Sequence, residues 1–451
     1  MATIEDEILS KDETTFQYEN DLLTLPVPDL LNTLQKYLAS VRPVVTDEEF
    51  KTTEAIVKQF AEGEGLYLQQ LLIEFAEGKR NWLEKWWEDT SYLEMRGPAP
   101  LINMGGCGKF RDVWPAQEGT QIPRAAAFLY YCLKFWEYTR KEMHKPGRIR
   151  TGLPISMDVY KRIFNTVKVP GVDKDELVQY FKTEKEGDCP THVVVMSKGH
   201  IFCLEMFGED GELLTPPEIE VQLEKIKTKS NALGPAQGVA YLTSMDRRAW
   251  AEARGRLIKL HPQNEETLQA IQESIMALWL EDGNIGDDSH LAQMSLLGNG
   301  ENRWFDKSYS GGIYENGLPI SNADSDGQVR SLPEPKHLQF VLDGELLLTI
   351  NKAKADYAAL TKRANVAVRD YTKGGKKFCK AHGIHPDALC QMAIQLAYFR
   401  LHKRLAPTTE TAPARQFYRG RTGAMRSCTK EVLDWCTAMD DPKIAVDNPR
   451  P

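Results

Sequence analysis

Proton transfer at neutral pH is most often the work of a histidine, and a histidine base is commonly held by a nearby carboxylate. The chain has nine histidines, His144, His192, His200, His261, His290, His337, His382, His385 and His402. Only His261 is followed four residues on by a carboxylate, Glu265, and that string, HPQNE, reads as the opening of a surface helix. No histidine declares itself a general base. There is also no GxSxG turn to expose a serine, no Cys–His signature and no HExxH metal helix. The eight cysteines, at 107, 132, 189, 203, 379, 390, 428 and 436, include no CxxC pair. That pattern fits reduced thiols inside a cell better than a zinc site or a disulfide framework, so no metal is expected.

Two glycine-rich stretches invite a phosphate. GGCGK at 105–109 fails as a phosphate loop, because Asn103 stands where a glycine is needed and Phe110 where Ser or Thr would follow the lysine. YTKGGKKFCK at 371–380 carries Lys373, Lys376, Lys377 and Lys380 around a Gly-Gly turn. Lys376 and Lys380 are four apart, on one face of a helix, where they could hold a phosphate beside free backbone N–H groups. A solvated basic patch would have the same composition, and the residues alone favour that plainer reading.

The frame that must position such groups is large. The chain has 451 residues, 42% hydrophobic and 27% charged, a globular composition with two or three domains' worth of length. A formal charge of −8 gives no reason to expect nucleic acid. Residues 1–20 are acidic and lack an apolar core, so they read as a polar tail rather than a secretory or transit peptide. No apolar run is long enough to span a membrane.

Helical spacing appears in LPVPDLLNTLQKYL, in TDEEFKTTEAIVKQFAEGEG behind a Thr46–Glu49 capping box, and in the stretch from Gly65 towards Glu94, with a break near Gly78. Trp82, Trp86 and Trp87 are expected in the core. THVVVMSKGHIFCLEMF at 191–207 predicts two strands joined at Gly199, and GVAYLTSM at 238–245 a further strand. Helices are expected over DRRAWAEARGRLIKL, NEETLQAIQESIMALWLED and HPDALCQMAIQLAYFRLHKRL, the last with Pro386 in its first turn. The mixture lacks a strict βαβ period and reads as α/β or α+β with large sheets. One stretch resists reading: GGIYENGLPISNADSDGQVRSLPEP at 311–335 has no apolar run and no histidine between ordered neighbours.

Several segments together resemble the carnitine/choline acyltransferase family, and most its octanoyltransferase branch. They are TLPVPDLLNTLQKYL (24–38), GKRNWLEKWWEDTSYLEMR (78–96), NRWFDKS (302–308), LPEPKHLQFVLD (332–343), HPDALCQMAIQLAYFRLH (385–402) and GRTGAMRSCT (420–429), in family order over nearly the whole chain. The resemblance implies a two-lobed α/β fold, each lobe similar to chloramphenicol acetyltransferase, with a tunnel between them. It implies reversible acyl transfer between coenzyme A and the carnitine hydroxyl by direct attack, with a histidine base, hydrogen-bond donors for the oxyanion, and no tightly bound cofactor. Family members are expected to act as monomers, and the octanoyltransferase likeness implies a peroxisome; otherwise the chain would be cytoplasmic.

The family base sits in a string of the form N-G-x-x-G-x-x-x-E/D-H-x-x-x-D/E shortly after the NRWFDKS segment. Here the string begins at ENG (315–317) and runs into LPISNADSDGQVRSLPEP without a histidine. The resemblance therefore implies an internal deletion near 318–328 that takes the base with it. It assigns Lys376, Lys380 and Asp387 to the 3′-phosphoadenosine end of coenzyme A and Thr422 to the carnitine carboxylate. Two departures weaken the carnitine site. Thr409 replaces a tyrosine, and Gly423 and Ala424 replace an acid and a threonine. Family members also run on past residue 451, so the second lobe is expected to be incomplete. The implied layout is a tail over 1–20, a first lobe over 21–330 and a shortened second lobe over 331–451. The expected outcome is an acyltransferase relative with impaired catalysis; the alternative is a non-catalytic chain that binds coenzyme A or a partner.

Overall fold

The computed structural model describes residues 7–101, 121–315, 330, 332–371 and 374–441. Helices are α1 (Leu30–Val41), α2 (Asp47–Glu62), α3 (Glu64–Ala76), α4 (Gln121–Arg140), α5 (Pro216–Leu233), α6 (Arg247–Leu260), α7 (Pro262–Glu273), α8 (Asp288–Leu297), α9 (Gly344–Thr361), α10 (Lys376–Ala381), α11 (Pro386–His402) and α12 (Lys430–Asp440). Strands are β1 (Thr166–Val169), β2 (Glu176–Gln179), β3 (His192–Ser197), β4 (His200–Glu205), β5 (Ala277–Glu281), β6 (Ser310–Tyr314), β7 (Lys336–Leu338), β8 (Thr409–Pro413) and β9 (Thr422–Arg426). The architecture is mixed α and β. It divides into two compact units, one of Met1–Gln17, Lys85–Pro146 and Met157–Val368, the other of Tyr18–Glu84, Gly147–Ser156 and Arg369–Pro451.

The first unit is built on one five-stranded sheet in the order β6-β5-β3-β4-β7. β3 and β4 form an antiparallel hairpin, β5 and β6 run parallel to β3, and β7 closes the other edge antiparallel. Every residue of β3 is buried, as a central strand covered on both faces requires. Its alternation sends Val193 and Val195 to one layer, with Phe202 and Leu204 of β4, Leu129 and Leu133 of α4, and Leu223 and Ile226 of α5. Val194 and Met196 go to the other, with Trp250 and Leu257 of α6, Ile271 of α7 and Ile350 of α9. β6 needs glycine twice. A Cβ on Gly312 would stand 1.5 Å from Trp279 Nε1 on the neighbouring strand, and one on Gly311 would stand 2.4 Å from the Phe128 ring of α4.

A buried ionic cluster fixes the approach to β6. Arg247 Nε donates to Asp175 at 2.7 Å and its Nη1 to Asp306 at 2.6 Å, while Trp250 Nε1 donates to the second Asp306 oxygen at 2.7 Å. Next to it, Lys307 Nζ donates to the carbonyls of Gln272 and Ser274, and burial pulls its ammonium down to about 7. Arg303 pairs with Glu281 on β5. Asn302, Arg303, Asp306 and Lys307 of the NRWFDKS string are thus buried and bonded to partners on neighbouring elements, a staple that holds the sheet. Residues 8–15, read as part of a polar tail, are tied to the segment just after α4: Ser10 N donates to Met143 O, Thr15 N to Glu142 O, and Thr15 Oγ1 to His144 O.

In the second unit α1, α2 and α3 pack in sequence, and α11 packs on α12 over a small core of Leu405, Cys428, Val432 and Cys436. β8 and β9 form an isolated antiparallel ribbon. Arg80 lies over the Tyr418 ring, and Asn81 Nδ2 donates to Tyr418 O, joining the helical part to the ribbon's connecting loop.

Several sequence expectations hold, including the β3–β4 hairpin, the Thr46–Glu49 capping box, the break at Gly78 with φ +73° and Pro386 opening α11. Others fail for identifiable reasons. The expected strand at 238–245 is a 3₁₀ turn over Val239–Ser244, locked by Thr243 Oγ1 to Ala240 O and Ser244 Oγ to Tyr241 O, bonds that compete with a sheet ladder. The helix expected over 264–282 ends at Glu273, and its apolar second half is the interior strand β5, a run whose periodicity alone does not separate strand from buried helix. Among the described residues the largest sheet has five strands. Trp86 is exposed, and Trp82 and Trp87 are only half-buried, so none of the three is a core residue.

Candidate active site

The nine histidines all lie among the described residues, and their partners give a direct test of whether any is a base. His144 is buried against Thr139 Oγ1, the Phe135 carbonyl and aromatic rings, and burial lowers its pKa. His192 bonds the Ala270 carbonyl at 2.7 Å. His200 and His337 contact each other at 3.2 Å, and His200 also bonds the Gly234 carbonyl. His261 caps α7 by accepting from Gln263 N, His382 bonds Phe378 O, and His402 stacks on Tyr398. His290 sits in the first turn of α8 and His385 caps α11. Among the described residues no histidine bonds a carboxylate.

The point where the family string would place its base is the end of β6. Residues 316–329 and 331, and with them the deletion expected near 318–328, lie outside the described residues. What can be built is the ground on either side. Glu315 N donates to Gly283 O, and Lys227 of α5 reaches both Glu315 and Gln121. Gln121 in turn donates to the carbonyls of Glu281 and Ile313 at the ends of β5 and β6. Gln121, Lys227, Asn231 and Glu315 line a cleft at this edge. On the far side Arg330 is clamped, bidentate to Asp210 and bonded to Glu218 by both its backbone N and its guanidinium. The arginine holds the Glu218 carboxyl down at about 2.

The coenzyme A candidates lie in the second unit. Lys376 opens α10 and Lys380 falls in its last turn, one turn apart on an exposed face, while Cys379 turns inward. Neither ammonium makes an ion pair or side-chain hydrogen bond among the described residues, so both are free to meet an anion. Asp387 stands in the first turn of α11, the position a helix dipole favours for an acid, and α10 packs on α11. The structure therefore brings Lys376, Lys380 and Asp387 onto adjoining helices. Lys373 lies outside the described residues.

Thr422 begins β9, opposite Pro413 on β8, with Ala424 opposite Thr411 and Arg426 opposite Thr409. Since side chains alternate, Thr409, Thr422, Ala424 and Arg426 share one face of the ribbon. The positions where the resemblance implies a tyrosine and two threonines are thus gathered on one surface, and of the three only Thr422 carries the expected residue. Arg426, a cation the sequence reading passed over, stands on the same face. Only the register reveals that, because nothing in the string itself marks how β9 pairs with β8. No helix among the described residues is long and apolar enough to cross a membrane.

A sequence model of the family described as Choline/Carnitine o-acyltransferase matches residues 25–325 and 318–450. Peroxisomal carnitine O-octanoyltransferase of Mus musculus is 39% identical over 476 residues, covering 97% of this chain and 77% of that protein. The Homo sapiens protein of the same name is 40% identical over 472 residues, covering 96% and 76%. Carnitine O-acetyltransferase of Rattus norvegicus is 32% identical over 464 residues, covering 95% and 73%. At that identity and coverage, with the family match spanning nearly all of it, the chain belongs to the choline/carnitine O-acyltransferase family.

Proposed function

We propose that this chain retains the coenzyme A contacts of a carnitine medium-chain acyltransferase but lacks its general base, so that it binds acyl-CoA and turns it over slowly or not at all. The observation that carries the reading is the state of the histidines: seven are held by a main-chain group or by contact with another ring, His290 and His385 are exposed at the starts of α8 and α11, and among the described residues none is paired with a carboxylate. Two features of the comparisons support a missing segment. The family match falls into two stretches that overlap at 318–325, where the base string breaks off. The 476-residue alignment also exceeds the 451-residue chain, so at least 25 aligned positions have no residue here.

In the family reaction the base takes the proton of the carnitine hydroxyl, and the oxygen attacks the thioester carbonyl, expelling the thiolate that regains a proton. The reverse reaction starts from the thiol. Without the base the hydroxyl must attack unassisted, a loss of roughly 10²–10⁴ in rate. Thr409, Gly423 and Ala424 remove further groups expected around the carnitine carboxylate, leaving Thr422. Lys376 and Lys380 are assigned to the 3′-phosphate of coenzyme A and Asp387 to the adenosine end. The reading also takes a two-lobed arrangement with lobes similar to chloramphenicol acetyltransferase, acyl-CoA and carnitine as ligands, and a peroxisomal setting; family membership and the relatives' names support the ligands and the setting.

The binding half of the proposal is tested by titrating the purified chain with coenzyme A and with dephospho-coenzyme A, which lacks the 3′-phosphate. Saturable binding of coenzyme A, at least roughly tenfold tighter than of the dephospho form, is expected from one lost charge-assisted contact. Equal affinities would remove the assignment of Lys376 and Lys380.

A further inference from the structure

A second cluster of chemically able side chains lies on the sheet of the first unit, away from the acyl-transfer candidates. His192 on β3 is paired directly opposite Glu205 on β4, and Cys203 lies two residues before Glu205 on the same face. A ring nitrogen of His192, Cys203 Sγ and a Glu205 carboxylate oxygen all lie within 4.8 Å of one another. Such a triad of nitrogen, sulfur and oxygen ligands is the only one among the described residues.

The surroundings fit a metal. His192 Nε2 donates to the Ala270 carbonyl of α7 at 2.7 Å, which leaves Nδ1 bare and fixes the ring. Metal-bound imidazoles are held in this way by a hydrogen bond from the far nitrogen. Cys203 is a free thiol, half-buried at the margin of the layer formed by α6 and α7. One Glu205 oxygen accepts from Thr191 Oγ1 at 3.2 Å and the other is free to coordinate. Neutral imidazole, thiolate and carboxylate together carry two negative charges, matching a divalent cation. Lys336 on β7, opposite Cys203, is a cation that opposes it, and its side chain is exposed and free to swing into solvent.

We propose that His192, Cys203 and Glu205 form a binding site for a zinc-class divalent metal, with solvent in the fourth position. A soft sulfur with imidazole selects zinc or cobalt over magnesium or calcium. Ordinary zinc bond lengths imply ligand separations of about 3.3–3.8 Å, so the exposed Glu205 must rotate inward by roughly an ångström. Binding displaces the Cys203 proton, forms the sulfur–metal bond and releases one proton to solvent. The metal would tie the β3–β4 hairpin to α7 through the His192–Ala270 bond.

The test is titration of the reduced full chain with cobalt(II), followed by near-ultraviolet thiolate-to-cobalt absorption, with zinc as competitor. One equivalent should bind, zinc should abolish the band, and Cys203→Ser should lose it while Cys390→Ser, an exposed thiol, keeps it. Glu205→Gln, at an exposed position that leaves the fold intact, should weaken binding at least roughly tenfold, the scale that even outer-shell changes produce. Absence of the band in folded protein, or a band that survives Cys203→Ser, overturns the site. So does a band that Glu205→Gln leaves unchanged.

Discussion

Lys376 and Lys380 are the residues whose surroundings say most about binding. Two exposed ammonium groups one helical turn apart repel each other unless an anion lies between them. Replacing both, Lys376→Ala with Lys380→Ala, should lower coenzyme A affinity roughly ten- to a hundredfold in isothermal titration and leave dephospho-coenzyme A almost unaffected. Glu218 is the residue whose titration should register in stability. Its folded-state value of about 2 lies below the ordinary 4.5, so its contribution is complete above pH 4.5 and fades as pH falls towards 2. Glu218→Gln should therefore unfold more easily than the parent at pH 6, and the gap between the two should narrow as pH drops from 4.5 towards 2. A constant gap in urea midpoints across that range would show that Arg330 does not set this carboxylate. The lysines were legible in the sequence only through the family resemblance, since spacing alone fits a solvated patch. The histidines were legible without it: only His261 has a carboxylate four residues on, and that string opens a helix; among the described residues no histidine bonds a carboxylate.

At the level of elements, β6 decides where the base string would begin. Its Gly311 and Gly312 exist because Phe128 and Trp279 occupy the space of a side chain. Gly312→Ala should separate β6 from β5 and destabilise the first unit by about 3 kcal/mol or more, measured as a fall in its thermal unfolding midpoint. An unchanged midpoint would mean that Trp279 rotates away at little cost. The hairpin β3–β4, the capped α2 and the proline-led α11 were readable because each has a local cause: alternation around a turn glycine, a capping box, a fixed φ at the first helical position. β5 was not, because IMALWL is an unbroken apolar run and only its neighbours in the sheet determine its form. The 3₁₀ turn at Val239–Ser244 was hidden for a related reason. Side-chain hydroxyls bonding back to their own main chain leave no mark on hydrophobic periodicity.

For the molecule as a whole, the polar interior of the first unit shows how much of the family's sequence likeness is architectural. Asn302, Arg303, Asp306 and Lys307 are all buried, and the last three hold β5, α6 and the turn after α7 together through ion pairs and carbonyl contacts. Strings of this kind identify the family through its architecture without establishing its chemistry. The direct measurement is release of free thiol from octanoyl-CoA by the purified, monodisperse chain, with and without L-carnitine. No carnitine-dependent release above background is expected, alongside retained coenzyme A binding. Carnitine-dependent turnover at a rate typical of an enzyme would contradict the central claim and show that one of the nine histidines, or another group, serves as the base.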